Sequence, residues 1–231
     1  MTDLSDRSVI VVGATGGLGA PIARRLARAG ARLTLVGRDE QRLRDLDLPG
    51  AVVALDVRKA ASAPAIVDAA VAAYGGIDGI VHAAGAVAFG SIEDTPDDVL
   101  IDLFTLDTLA PIRLLRAALP ALRASAADKR DPFVVQVSAV VAEQPMPGMA
   151  AYSAAKAALM AYDAAASREL RREGIRLIDA RPPHTETGLA TRPLFGSAPT
   201  LPEGLSPDAV AQRIVDAIIT GEKDLPSTSF S

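Results

Sequence analysis

The 231-residue chain contains no cysteine and no tryptophan, only two histidines, and just 3% aromatic residues. Without cysteine there is no disulfide framework, no thiolate metal site and no cysteine nucleophile. Two histidines are too few for a His-rich metal site, so no metal is expected. Long hydrophobic runs are also missing: none approaches the roughly 18 residues needed to cross a bilayer. Met1 to Val12 shows no basic region leading into a long apolar stretch. The chain is therefore expected to be soluble and cytoplasmic, with no membrane partner. Nor is there an excess of positive charge, since 24 Lys and Arg face 28 Asp and Glu, a net charge of -4. That balance argues against nucleic acid and toward a small-molecule partner, because polyanions are drawn by concentrated Lys and Arg.

What remains is aliphatic. Hydrophobic residues make up 49% of the chain, so the core must be built from Ala, Val, Leu and Ile, as happens when helices pack closely on both faces of a parallel sheet. The length fits one α/β domain spanning residues 1–231. Short apolar runs alternate with segments of helical period. Val9 to Val12 reads as a buried strand, and Pro21 to Ala29 as a helix with Ile22, Ala23, Leu26 and Ala27 on one face. The cycle continues with strand Arg32 to Val36, a helix opened by Asp39, strand Ala51 to Leu55, helix Ser62 to Tyr74 and strand Ile77 to Val81. Thr95, Pro96 and Asp98 read as an N-cap, a first-turn proline and a first-turn acid. They open a long helical region that Pro111 and Pro120 are expected to bend or divide. Strand Phe133 to Val137, helix Ala151 to Glu173 and strand Ile175 to Ala180 follow. Arg181 to Leu205 lacks periodicity and reads as a loop over a site. Ser206 and Pro207 open a last helix to Thr220, with Leu225 to Phe230 expected as an edge strand.

The first strand and helix are joined by Gly13-Ala-Thr15-Gly-Gly17-Leu18-Gly19. A glycine-rich stretch alone is usually only a turn. Between a strand and an amphipathic helix it points to dinucleotide binding: Gly13 permits a tight turn, Gly17 lets backbone approach a pyrophosphate, and Gly19 lets the helix pack near the strand, while free N–H groups at the helix start meet the negative charge. Thr15 and Leu18 belong to the same binding loop. The expected fold is thus α/β, a Rossmann-type doubly wound parallel sheet with helices on both faces. At the end of the second strand, where NAD-preferring proteins usually carry an acid, stands Gly37 followed by Arg38. A guanidinium suits a 2'-phosphate, so the cofactor expectation is NADP(H) over NAD(H). Asp39 could cap the next helix or accept from a ribose hydroxyl. Tyr152 and Lys156, four apart on a predicted helix, emerge on one face. An ammonium beside a phenol favours the phenolate, which makes Tyr152 a candidate proton donor and acceptor opposite a hydride transfer.

The glycine loop, the Ala83-Ala84-Gly85 that closes the fourth strand, and Tyr152-x3-Lys156 occur in one order, and on these residues the chain resembles a short-chain dehydrogenase/reductase over nearly its whole length. The resemblance implies that the glycine loop holds the pyrophosphate, that Asp56 with Val57 contacts adenine, and that Ala84 and Gly85 support the cofactor. It also implies that Lys156 binds the nicotinamide ribose, that Tyr152 is a cofactor contact beside it, and that Thr187 lies in the segment holding the carboxamide. Departures from the pattern are specific. His82 and Ala83 replace a usual pair of asparagines, and His82 is read as a core or loop histidine. The serine that polarises the reacting carbonyl falls, counting thirteen back from Tyr152, on Ala139; Ser138 is the candidate for that role one residue earlier. Asp107 stands where an asparagine is typical, a residue that holds a proton-relay water largely through its main-chain carbonyl. Pro183 replaces a glycine, and His184 reads as structural or as a substitute acid/base.

Two functional readings follow. In the first, hydride passes between NADP(H) and a carbonyl or alcohol carbon of a small, apolar substrate, with Tyr152, Lys156 and Ser138 as the catalytic set. Phe89 to Thr95 and Gly188 to Leu205 would shape the substrate pocket. In the second, Ala139, Asp107 and Pro183 mark a catalytically weakened NADP(H)-binding sensor or scaffold. By resemblance alone, a homodimer or homotetramer is expected to form through the long central helices.

Overall fold

The computed structural model describes residues 1–230. Seven parallel strands form one sheet in the order β3-β2-β1-β4-β5-β6-β7. The strands are β1 (Ser8–Val12), β2 (Arg32–Gly37), β3 (Gly50–Ala54), β4 (Gly79–His82), β5 (Phe133–Val137), β6 (Arg176–Ala180) and β7 (Asp224–Leu225). Between them run α1 (Gly19–Arg28), α2 (Glu40–Arg44), α3 (Ser62–Tyr74), α4 (Asp97–Phe104), α5 (Ala110–Ala127), α6 (Ala150–Arg172) and α7 (Pro207–Thr220). The expected α/β architecture is the observed one.

The central strands are mostly apolar because both faces are covered, with His82, Gln136 and Asp179 as buried polar exceptions. Successive side chains point to opposite sides of a strand. Val9 and Val11 therefore meet Ile22 and Leu26 of α1 and Ile214 and Ile218 of α7. Ile10 and Val12 meet Ile66 and Ala70 of α3 and Leu114 and Leu122 of α5. Small residues let these layers approach. Gly79 pairs laterally with Phe133, and a Cβ at Gly79 would lie 2.4 Å from the Phe133 ring. The ring, among the largest fully buried side chains, occupies the space that a larger residue on β4 would fill.

Several boundaries differ from expectation for identifiable reasons. Thr95 does not cap α4; its hydroxyl donates to the Ser91 carbonyl at 2.8 Å, Pro96 takes the cap position, and Asp97 and Asp98 supply the first-turn acids. Ser206 precedes Pro207 at the start of α7 but makes no side-chain capping bond. The long central helix is neither cut at Pro111 nor at Pro120, which lies inside α5. Instead α4 passes into α5 through a π-helical turn, Thr105–Leu109, where the Ala110 N–H reaches back to the Thr105 carbonyl. Pro111 has no N–H, so the α-helical bond to the Asp107 carbonyl cannot form, and the wider turn accommodates the missing donor. The expected edge strand Leu225 to Phe230 shrinks to Asp224–Leu225 followed by a 3-10 turn, Ser227–Phe230; Pro226 cannot donate to continue the ladder. Among the described residues, no helix is long and apolar enough to cross a membrane.

Gly79→Ala should destabilise the fold by about 1–3 kcal/mol, the usual cost of overpacking a dense core. Phe133→Leu in the same chain should recover part of that loss. Urea denaturation midpoints of the single and double variants test this, and additive losses would contradict the packing argument.

Candidate active site

The sheet changes direction between β1 and β4, because the chain leaves β1 for β2 on one side and returns to β4 on the other. Loops beyond the carboxyl ends of these strands diverge there, and such a switch point leaves a crevice. A cleft of about 490 Å³ opens along this edge. Gly13, Thr15, Gly17 and Leu18 line it from the first loop, Arg38, Asp56 and Val57 from the loops after β2 and β3, and Ala84 and Gly85 from the loop after β4. Ser138, Tyr152, Lys156 and Thr187 complete the convergence.

Gly13 adopts a φ of 76°, and a Cβ there would lie 2.7 Å from the Ala84 nitrogen, so the turn requires glycine. Gly19 does not line the cleft. It packs behind the turn, where a Cβ would meet the Gly13 carbonyl at 2.1 Å. Gly17 serves a contact the sequence did not suggest: its Cβ position falls 2.4 Å from the Thr187 carbonyl oxygen. The bare backbone of Gly17 thus lets the loop after β6 close against the glycine loop. No side chain caps the start of α1, and its first turn carries no acid; the Ala20 N–H is bonded to the Gly16 carbonyl and Pro21 has none, so the dipole end and the amides of Gly17, Leu18 and Gly19 are what the helix start presents to an anion.

Around the loops after β2 and β3 the cleft is lined by Arg38, Arg42 and Arg58 together with Asp56 and Asp102. Arg38 is exposed at its edge, and Arg42, not anticipated from the sequence, lines the same wall. Its signal was present: an Arg-x3-Arg spacing across the start of a short helix. Asp39 is engaged as the α2 cap, accepting from the Arg42 N–H at 3.1 Å, which settles its role as the cap of that helix. Asp56 accepts from Arg58, whose Nη2 lies 2.8 Å away; the Arg58 guanidinium holds this carboxyl below its ordinary range. The opposite end is apolar, with Phe89, Val141, Met146, Met149, Leu189 and Leu194 on its walls. Phe89 and the loop after β6 were anticipated there, whereas both methionines were not. Ile92, from the same expected segment, is 90% exposed. Arg181 to Leu205 folds over this end, fastened where the Phe89 N–H donates to Phe195 and the Leu194 N–H to Val87. His184 faces the cleft and sits 3.2 Å from Glu186.

Tyr152 and Lys156 share the inner face of α6, and both are buried. Lys156 Nζ donates to the Val137 carbonyl at 3.0 Å and lies 3.3 Å from Asp107 Oδ1, while the Tyr152 ring centroid is 5.9 Å from it. Burial first, and then the Asp107 carboxylate, raise the Tyr152 phenol well above its ordinary value. Burial also raises Asp107, against the pull of the Lys156 ammonium.

Ser138 departs from its expected role. Its hydroxyl donates to Asp179, so its hydrogen is committed to β6 and not to a reacting carbonyl. Ala139, extended after β5, brings only a methyl to the cleft. Behind Lys156 lies a buried polar layer contributed by His82, Gln136 and Asp179, which are lateral neighbours on β4, β5 and β6. Asp163 of α6 joins them. His82 Nε2, Gln136 Oε1 and both Asp163 oxygens lack hydrogen-bond partners among the described residues. Burial and the Lys156 ammonium depress His82 to about 3, so it stays neutral. Burial and the neighbouring Asp179 raise Asp163 to about 9.

The short chain dehydrogenase family model matches residues 7–193. An uncharacterized oxidoreductase of Staphylococcus epidermidis is 28% identical over 223 residues, covering 95% of this chain and 92% of that relative. Among solved structures, a short-chain dehydrogenase from Streptomyces avermitilis superposes with a TM-score of 0.84 at 26% identity, covering 97% of this chain and 90% of the other. A metagenomic short-chain oxidoreductase in complex with NADP gives a TM-score of 0.79 at 27% identity, covering 97% and 98%.

The raised Asp163 has a consequence for stability. Its unfolded value is near 3.8 and its folded value about 9, so between them the folded chain binds the extra proton. Its contribution to stability is complete below 3.8 and is lost progressively as pH rises toward 9. Asp163→Asn should flatten the fall in melting temperature between pH 5 and about 8.5 and raise stability at the alkaline end. Parallel melting curves across that range would show that the carboxyl is not held neutral.

Proposed function

The chain belongs to the short-chain dehydrogenase family, and on that footing we propose that it is an NADP(H)-dependent oxidoreductase interconverting a carbonyl and an alcohol on a small, apolar substrate. The observation carrying the proposal is the convergence of Tyr152 and Lys156 on the same cleft that the glycine loop opens. The residues present fit a dinucleotide. The uncapped start of α1 offers N–H donors to the pyrophosphate, and Gly13 keeps the floor of the loop free of a Cβ. Asp56 and Val57 would meet the adenine, Ala84 and Gly85 the middle of the dinucleotide and Thr187 the nicotinamide, and all five line the cleft. When bound, the dinucleotide supplies or accepts the hydride at its nicotinamide ring.

Tyr152 is buried as a phenol and therefore suited to donate a proton at its Oη to a carbonyl oxygen as that carbon is reduced; in the reverse direction its phenolate accepts it. Lys156, held by the Val137 carbonyl and the Asp107 carboxyl, would offer its remaining ammonium donor to the cofactor ribose. Asp107 contributes a main-chain carbonyl that Pro111 leaves without its α-helical donor, an acceptor available to a relay water. Arg38 and Arg42 form a two-guanidinium clamp suited to a 2'-phosphate, which favours NADP(H) over NAD(H). The apolar walls favour an uncharged substrate, because a charge desolvated against methionine and leucine would have no partner. Exposed Ile101, Phe104 and Leu109 on α4 and the π turn support assembly as a homodimer or homotetramer.

The committed Ser138 hydroxyl and the Ala139 methyl favour a second reading, a catalytically weakened NADP(H)-binding sensor or scaffold. NADPH binding without turnover across aldehydes, ketones, alcohols and acyl thioesters would support that alternative. Under the first reading, Tyr152→Phe should lower turnover by about 10²- to 10⁴-fold while leaving the NADPH dissociation constant within about twofold, as read by steady-state kinetics and calorimetry. Arg38→Ala should weaken NADPH roughly ten- to hundredfold, the worth of a hydrogen bond to a charged group, and NADH far less. Arg42→Ala should act in the same direction, and equal losses for the two cofactors would remove the 2'-phosphate assignment.

A further inference from the structure

The Asp107 carboxylate lies on the Lys156 ammonium, not on the substrate. Its Oδ1 accepts from the Ala86 N–H at 3.1 Å and is 3.3 Å from Lys156 Nζ. Both side chains are almost fully enclosed, with 0% and 5% of their surfaces exposed, so solvent screens the pair little. The pair has been given room: a Cβ at Gly85 would stand 2.8 Å from Asp107 Oδ1 and 3.4 Å from Lys156 Nζ. The π turn places this carboxylate on the inner side of the helix, with Asp107 only 1% exposed.

One ammonium therefore faces two acids, the Asp107 carboxyl and the Tyr152 phenol. The carboxylate holds the direct contact, while Nζ is 5.9 Å from the phenol ring centroid. Burial raises the Asp107 carboxyl and the adjoining Lys156 ammonium opposes that rise; with the pair ionised, a phenolate would place a second negative charge beside Asp107 and draw on a cation already matched. The other groups around this point do not restore the balance. His82 from β4 is neutral, Asp163 from α6 is protonated at neutral pH, the Val137 carbonyl of β5 accepts a hydrogen bond from Lys156, and Asp179 of β6 is paired with Arg181.

We infer that Asp107 is a positioning residue that acts on Tyr152 through Lys156, keeping Tyr152 a phenol well into the alkaline range and so poising the site for proton donation to a carbonyl. The inference rests on the oxidoreductase reading for its chemical consequence. In reduction, reduced nicotinamide dinucleotide delivers hydride, an electron pair with its proton, to the carbonyl carbon. The Tyr152 O–H bond breaks as the alcohol O–H bond forms, and the phenolate regains its proton from solvent. In oxidation the same residue must first lose its proton, and Asp107 opposes that loss.

The test compares wild type with Asp107→Asn, an isosteric change that keeps an oxygen for Ala86 and Lys156 but removes the charge. Two readouts are needed: the pH profiles of kcat/KM for alcohol oxidation and carbonyl reduction, and the ultraviolet titration of Tyr152, isolated by difference against Tyr152→Phe. Asp107→Asn is expected to move the acid limb of oxidation, and the Tyr152 titration, at least one pH unit lower, about a tenfold gain in oxidation rate at pH 7. Reduction should lose rate at alkaline pH correspondingly earlier. Coincident limbs and titrations in the two proteins would overturn the inference. If no carbonyl or alcohol turns over, the oxidoreductase reading fails, yet the phenol titration still decides the role of Asp107. Should the variant not fold, wild type suffices, since ionisation of Tyr152 below pH 10, the ordinary phenol range, overturns the inference as well.

Discussion

A lysine ammonium enclosed between the sheet and a helix is the constraint around which this site is organised. Lys156 is only 4% exposed, and an isolated charge at such a position would shift its ionisation or pull the structure apart. It is held because the Val137 carbonyl ends β5 within 3.0 Å and because the π turn carries Asp107 to the other side of Nζ. Neighbouring choices follow from the same charge. Gly85 must lack a Cβ for the pair to close, and His82 can be tolerated beside it only as neutral imidazole. The chain accepts unpartnered oxygens on Gln136 and Asp163 in the same layer, a stability cost that a purely structural interior would shed.

The layered fold was legible because it follows from two periods. Fully buried strands read as unbroken apolar runs, and the helices between them read at 3.6 residues per turn. The glycine loop was legible too, since the turn at Gly13 and the close approach at Gly19 are local requirements of a strand turning into a helix. Longer-range purposes were not. Gly17 meets the Thr187 main chain, a contact between segments about 170 positions apart in the chain that no local spacing encodes. The π turn was hidden for a similar reason: Pro111 announced a missing donor, but whether the helix breaks, bends or widens depends on what packs against it.

Ser138 shows how a correct local rule can leave the functional question open. Neighbouring positions of an extended chain face opposite ways, so Ser138 and Ala139, although both line the cleft, direct their side chains differently. Where the hydroxyl goes is set by the sheet. The Ser138 side chain joins Gln136 and Asp179 on the face beneath α6, where Asp179 captures its hydroxyl. Asp179 is in turn fixed by Arg181, which also engages Glu143 and Asp224. The partners that immobilise Ser138 are thus two elements away in sequence, and none carries a motif.

On the proposed oxidoreductase reading, the two departures closest to the chemistry act on different steps, which decides how they combine. The methyl of Ala139 removes a hydroxyl that would polarise a carbonyl, so the bond to be reduced must draw its activation from the proton donor itself. Asp107 strengthens the hold on that donor's proton. A less acidic phenol is a weaker general acid, yet it keeps the donating form over a wider range of pH, whereas a more acidic one would be partly spent as phenolate. The pair therefore describes a slower site with a constant supply of protonated Tyr152, in which reduction tolerates both changes and oxidation, needing phenolate and an oriented alcohol, is impaired by each.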